Sequence, residues 1–454
     1  AGSDGLAAPL LRTGNLKKKP LEPLYFLTLL SAVAYCIARL PALSLRFQEL
    51  AGEEGLDTAS AAVAFGRVTA LRSVIEFFCT PAIAAWSDRV GRRKALCLCM
   101  AASFLECALL AGARSLFALG AIHVLGGLLA DSNGALEHSC IADATPAAQR
   151  AVAFGRLITV VGAAMVIGPM LGGELAARVG FGAPFAASAV LSLLGFIFAL
   201  LRLPEYLPPE KRAARPAGAG ANAGLRDFAA LLSKSPSLSW YIAASALAHF
   251  GLGAYGSVQA FWAREALNWG ARDLGRFMSF TGVGMIVAQG FMLPWLRKAA
   301  RAHEGCLAQS CLILNAAKVG AYALAPHGGW VYAFTVLGVA GSCGNTVLRS
   351  LLSSCASEKQ QGLLSGGTSA VTTAAQMLGA VVGSQVLAAA LRRGAPSGVP
   401  MLLSALAFGL AAACIARASA VAAAVAERRR HAEAAAAKKS DDAEAGMPSE
   451  AVGM

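Results

Sequence analysis

The chain has 454 residues, 56% of them hydrophobic and only 14% charged, whereas soluble domains carry about 25% charged residues. That excludes an ordinary water-soluble fold, whose surface could not hide so much apolar side chain, and makes lipid the expected solvent for most of the exterior. The formal charge of +13 does not point to nucleic acid, because the basic residues fall in short runs between apolar stretches rather than on one polar domain.

The first 22 residues are polar, with Lys17, Lys18 and Lys19 just ahead of the first apolar run. That run is longer than a signal-peptide core and ends in no small-residue cleavage site, so no cleavable signal is expected. Apolar stretches of about 20 residues mark transmembrane helices, and twelve are predicted. The first six cover 23–45, 58–86, 95–113, 115–139, 154–177 and 183–203. A polar, Pro- and Ala-rich linker occupies 204–236. The second six cover 238–263, 274–296, 305–325, 329–352, 362–389 and 398–425, and a charged tail occupies 426–454. The expected fold is an all-α membrane protein of two six-helix bundles, 23–203 and 237–425. Abundant Ala and Gly let helices approach closely in lipid. The 11 Cys form no CxxC or metal spacing and read as small buried hydrophobes, so no metal or cofactor is expected.

Lys and Arg set the orientation. With the N-terminus cytoplasmic, one side gathers about 26 basic residues and the other about 7 by the same count, which places both termini in the cytosol. The halves also look related. At an offset of 211 residues Gly155 falls on Gly366, Gly168 on Gly379 and Gly172 on Gly383, each set on the fifth helix of its half. Duplicated halves around a midplane site are a transporter architecture.

The turn after the second span reads Asp88-Arg89-Val90-Gly91-Arg92-Arg93-Lys94. Gly91 permits a positive φ, and the arginines can clamp carboxylates or helix C-termini. Farther on come Ile141-Ala142-Asp143, Thr145, Arg150, Phe154-Gly155 and Gly168-Pro169-Met170-Leu171-Gly172-Gly173. Pro169 loosens its helix, while Gly168, Gly172 and Gly173 make a flat packing face.

In these residues the chain resembles the major facilitator superfamily, whose hallmark GxxxDRxGRR is met here with Ala84 at the leading position. The second block is similar to the tetracycline-resistance-type branch of drug:proton antiporters, with its GPxxGG element. The resemblance implies the major facilitator fold and a cytoplasmic gate of Asp88, Arg89, Gly91, Arg92 and Arg93, with Asp143 as a partner for Arg92 or Arg93. The sequence departs from that branch in three places. His123 stands where an Arg is usual, the first span holds no acid, and the second half's equivalent loop, Leu296 to Gly305, lacks the Asp.

A charged residue inside a span costs about 3 kcal/mol on insertion scales and marks a functional candidate. The second span holds Arg67, Arg72 and Glu76. Arg72 and Glu76 share a helix face, as a self-neutralising pair or a cavity feature. Arg67 has no partner on its own helix and is the candidate for an anionic substrate group. The resemblance makes the first, fourth, seventh and tenth helices cavity-lining, which favours His123 and Asp131 over Glu106 and Lys318. Asp131 is the first choice for a proton carrier, since an acid in a low-dielectric cavity can exchange a proton. His249, Asn345 and Gln376 are polar lining candidates.

Without a Walker loop or a dinucleotide fingerprint, no ATP-driven pump and no enzyme is expected. His123 and Asp131 lie eight residues, or about 80°, apart on a helix, so they imply no single-helix catalytic pair. The expected function is secondary transport of a small organic solute by alternating access, with proton antiport or symport as the open modes of coupling. The alternatives are an uncoupled facilitator and a non-transporting receptor or scaffold. The expected partners are the solute, protons and the bilayer, and the chain is expected to act as a monomer.

Overall fold

The computed structural model describes residues 20–207, 212, 221–300, 303–355 and 360–445. Its helices make twelve rods and one linker helix. In the first half these are α1 (Glu22–Glu53), α2 (Thr58–Val90), α3 (Arg92–Gly112), α4 (Leu116–Gly126 and Asn133–Ala144), α5 (Ala147–Arg178) and α6 (Gly182–Arg202). The linker helix is Ala221–Lys234. The second half holds α7 (Pro236–Leu267), α8 (Ala271–Ala299), α9 (Glu304–Tyr322), α10 (Gly328–Leu337 and Gly344–Ser354), α11 (Gln361–Arg392) and α12 (Val399–Ala445).

Among the described residues, eight rods are long and apolar enough to cross a membrane, and nine if the two parts of α10, bent by 58°, count as one span. Composition explains the other three. α4 is interrupted by a 3₁₀ turn at Ala130–Ser132. The α7 and α9 rods are diluted by Gly, Ser, His249, Gln259, Asn315 and Lys318.

Three spans differ from expectation. The fourth and tenth are broken rather than continuous, at Gly126-Gly127 and Gly338, where glycine weakens helix and brings the neighbouring rod close. The last helix runs on through the charged tail to Ala445, because its Ala-rich stretch has high helix propensity.

Local chemistry sets several ends. Asp57 caps α2 by accepting the Ser60 N–H at 3.2 Å. Its bonds to Ser60 hold its carboxyl below the ordinary carboxylate range. Gly91, at φ 105°, lets α3 begin directly after α2. Pro41 removes a backbone donor, and α1 absorbs the defect in a π-helical turn at Ala38–Ala42.

The matched glycines perform matched tasks. A Cβ on Gly168 or Gly172 would strike Cys36 or Ile37 of α1, and one on Gly379 or Gly383 would strike Phe250 or Ala254 of α7. The fifth rod of each half therefore lies close on the first. Both glycines nearer the linker, Gly155 and Gly366, meet nothing within 4 Å.

We call the side bearing the 88–94 turn and the linker the linker face. Bonds between the halves gather toward the other face. Arg392 donates to Ser60 at 3.3 Å, and Glu174 of α5 pairs with Arg272 and Arg276 of α8 at 3.1 Å each. Phe65 and Phe261 pack with ring centres 5.6 Å apart. Nearer the middle, the Met170 N–H donates to Ser279 Oγ at 3.0 Å.

Candidate functional site

On the linker face Arg92 is buried and holds two helix ends together. It pairs with Asp88 at 2.6 Å and with Asp143, at the end of α4, at 2.9 Å. It also donates to Ser87 Oγ. Arg93 turns the other way, donating to the Ala199 and Leu200 carbonyls that end α6. Arg89 is exposed. The start of α3 is capped by Glu205, whose carboxylate accepts the Arg92 N–H at 2.8 Å and the Arg93 N–H at 3.3 Å. An acid suits the positive end of the helix. Gly91 is required here twice, for its φ and because a Cβ would run into Glu205.

On α5 the Gly168-to-Gly173 element touches two neighbours at once. Gly168 and Gly172 face α1, while a Cβ on Gly173 would come within 3.1 Å of Gly275 Cα on α8. Pro169 lies within the unbroken α5. The element is thus one of the seams where the halves meet.

At the middle of the first half, four helices contribute to one ionic cluster. Glu106 of α3 accepts Arg39 of α1 at 2.6 Å and Arg72 of α2 at 2.7 Å. Arg72 also pairs with Glu76 at 2.6 Å and donates to the carbonyl of His123 on α4. His123 Nδ1 lies 3.1 Å from the Arg72 guanidinium. Each buried charge is opposed by another, which keeps the cluster affordable in an apolar bundle.

Beside the cluster lies a cavity of about 380 Å³, lined by Arg39, Glu76 and Glu137 with Ser31, Ser103 and Asn133. Glu137 is 4% exposed, and Ser31 Oγ donates to it at 3.2 Å. Among the described residues no Lys or Arg lies within ion-pair reach of Glu137. A smaller cavity of about 210 Å³ lies between the halves and is lined by Lys318, Tyr255, Gln259 and Asn315 with Leu40 and Met165. Met165 borders both cavities.

Other predicted candidates lie elsewhere. Arg67 is not in the central cavity. It is exposed and lines a cleft near the other face with Gln385 and Arg392, because nine residues of α2 do not carry it to mid-membrane depth. His249 is bound to the Ser245 carbonyl at 2.7 Å. Gln376 is exposed, and Asn345 Oδ1 is buried with no partner among the described residues. Asp131 falls in the 3₁₀ turn of α4, and its side chain lies outside the described residues.

The family model of the Major Facilitator Superfamily matches residues 24–384. The chain belongs to this superfamily. It is 27% identical over 334 residues to the tetracycline resistance protein, class C, of Escherichia coli, across 72% of this chain and 80% of that protein. It is 35% identical over 170 residues to human major facilitator superfamily domain-containing protein 10, across 37% of this chain and 35% of that protein. Among solved structures, the human organic anion transporter MFSD10 (TETRAN) aligns with a TM-score of 0.63 at 19% identity, covering 87% of this chain and 98% of that one. A POT family transporter in complex with a thioalcohol-conjugated peptide aligns at 0.66 and 14%, covering 88% and 96%. At such identities these structures establish the fold.

For a member of this superfamily, three residues of the site carried a weaker signal in the sequence than their positions warrant. Arg39 and Glu137 stand inside predicted spans, where any charge is a candidate, and either could have been found on that ground. Glu205 sits in a polar linker, where an acid is unremarkable, and only the return of α6 beside α3 gives it a role. Glu106 ranked below His123 and Asp131, yet it is the centre of the cluster.

Proposed function

We propose that this chain is a secondary transporter that moves a small organic solute by alternating access and exchanges it for protons, with Glu137 as the proton carrier. One observation carries the reading. A buried carboxyl, met by a hydroxyl rather than by a cation, lines a cavity at the middle of the bundle. A carboxylate locked to Arg cannot release and recover its charge cheaply, whereas one on a hydroxyl can take a proton in place and remain hydrogen-bonded. The other acids there, Glu76 and Glu106, are committed to Arg72 and Arg39. The gathering of inter-half bonds on one face supports alternating access. The 168–173 seam is where the halves would rock.

The test is solute flux in proteoliposomes under an imposed pH gradient. Wild type is expected to drive solute against its gradient, and Glu137→Gln, which keeps a hydrogen-bonding group of the same shape, to equilibrate solute without accumulating it. Gradient-driven accumulation by Glu137→Gln removes Glu137 from the coupling. Equilibration by wild type makes the chain a facilitator, and no flux of any solute makes it a receptor.

A further inference from the structure

The second half holds a half-buried cation near the end of α9 that, among the described residues, its own fold does not neutralise. Lys318 lies about one turn from the end of α9 and lines the 210 Å³ cavity with Tyr255, Gln259, Asn315 and Tyr322. Its methylene stem is gripped by the break in α10, for a Cβ on Gly338 would come within 2.6–2.7 Å of Lys318 Cβ, Cγ and Cδ. Among the described residues no carboxylate lies within ion-pair reach of the ammonium. An ammonium drawn out of water without a partner is costly.

The first half shows what such a charge looks like when it serves the fold. Glu106 stands 212 residues before Lys318 and packs in the same way under the break of its neighbouring helix, with its carboxyl against Gly126, 212 residues before Gly338. Glu106 is saturated by Arg39 and Arg72. At the same offset, Arg72 becomes Gly284, His123 becomes Thr335 and Glu76 becomes Ala288. Thr335 bonds to Tyr322 Oη at 2.7 Å instead. The second half keeps an ionic residue at this position and has none of the partners.

We infer that Lys318 is the docking point for the acidic group of the transported solute, which is an organic acid with an apolar, aromatic-compatible body. This rests on the transport reading above and names the solute's class. The cavity at Lys318 is below the roughly 300–1,000 Å³ of whole-ligand pockets, so it receives a head group. Tyr255, Tyr322 and Phe408 supply apolar walls, and the body of the solute extends past Met165 into the larger cavity. Gln259 and Asn315 can donate to the oxygens that Lys318 does not reach.

The test uses the purified full chain in detergent and three probes of one shape: naphthoate, naphthylmethanol and naphthylmethylammonium. Thermal unfolding and competition binding are read on monodisperse protein. Naphthoate is expected to stabilise wild type, while the neutral and cationic analogues do not. Lys318→Met is expected to lose naphthoate affinity by roughly 10- to 100-fold, as for one charged hydrogen bond, and Lys318→Arg to retain it within a few-fold. Lys318→Gln gives a second neutral variant should Lys318→Met not fold. Equal stabilisation by all three probes, no effect of naphthoate on wild type, or undiminished naphthoate binding by the neutral variants overturns the assignment. Flux separates this from the transport reading: gradient-driven flux with unchanged acid selectivity in Lys318→Met sinks only the lysine site. Charge-selective binding in a chain that carries no flux sinks only transport.

Discussion

Replacing Glu106 with Gln tests the ionic cluster most directly. Glu106 is 4% exposed, and its two oxygens face Arg39 at 2.6 Å and Arg72 at 2.7 Å. The amide has nearly the same shape, so neither a cavity nor a clash complicates the change and only the charge is removed. Breaking a buried pair from one side costs about 3–5 kcal/mol, because the remaining charge is stranded. Arg72 keeps Glu76 at 2.6 Å, and Arg39 keeps the face of Tyr35 at 4.9 Å. The loss should therefore lie at the lower end, about 3 kcal/mol, or roughly a hundredfold in the unfolding equilibrium. Denaturant unfolding in detergent micelles, followed by tryptophan fluorescence, measures it. Adding Arg39→Gln removes the stranded cation, so the double variant should be more stable than Glu106→Gln by at least about 1 kcal/mol, a coupling expected of residues in direct contact. A single variant within about 0.5 kcal/mol of wild type, or strictly additive effects, refutes the cluster.

Two further predictions concern the helix seams. Gly172→Val pushes a side chain into the Ile37 backbone and should cost about 1–3 kcal/mol, whereas Gly155→Val, whose Cβ meets nothing within 4 Å, should be neutral; thermal unfolding of the two side by side checks this. Gly66 and Ser384 are in contact across the halves, so a disulfide between Gly66→Cys and Ser384→Cys should stop flux until it is reduced, and full flux in the oxidised protein would refute an opening at that face.

How much of this was legible depends on what each feature requires. Lipid as the solvent needs only composition, and the two-half architecture needs only the spans and the Gly168–Gly379 register, so both were readable. The turn at 88–94 was readable because its chemistry is local: Arg92 and Asp88 are one helical turn apart. Glu205 was not, since its role depends on where α6 ends in space. The breaks in α4 and α10 escaped for a related reason. No proline marks them, and a hydropathy average treats Gly126 and Gly338 as ordinary packing residues. The ranking of Glu106 below His123 followed from which helices were expected to line the cavity. A charge's importance came instead from its partners, which lie on three other helices.

The contrast between the halves bears on why the protein has two. A twofold-related pair of bundles could share one set of core residues, and their glycines nearly do. Their charges do not: the first half buries an arginine–glutamate cluster whose members satisfy one another, and the second holds the half-buried Lys318 with no carboxylate partner among the described residues. A satisfied cluster is rigid, since moving any member exposes the rest to the cost of an unpaired charge. An unsatisfied cation is costly until something anionic arrives, and a ligand that supplies the missing charge acts on the relative stability of the states that differ in access to it. On this argument the first half is the fixed frame with its own titratable carboxyl, Glu137. The second half is the one whose energy the solute changes, and Met165, bordering both cavities, is where the two effects meet.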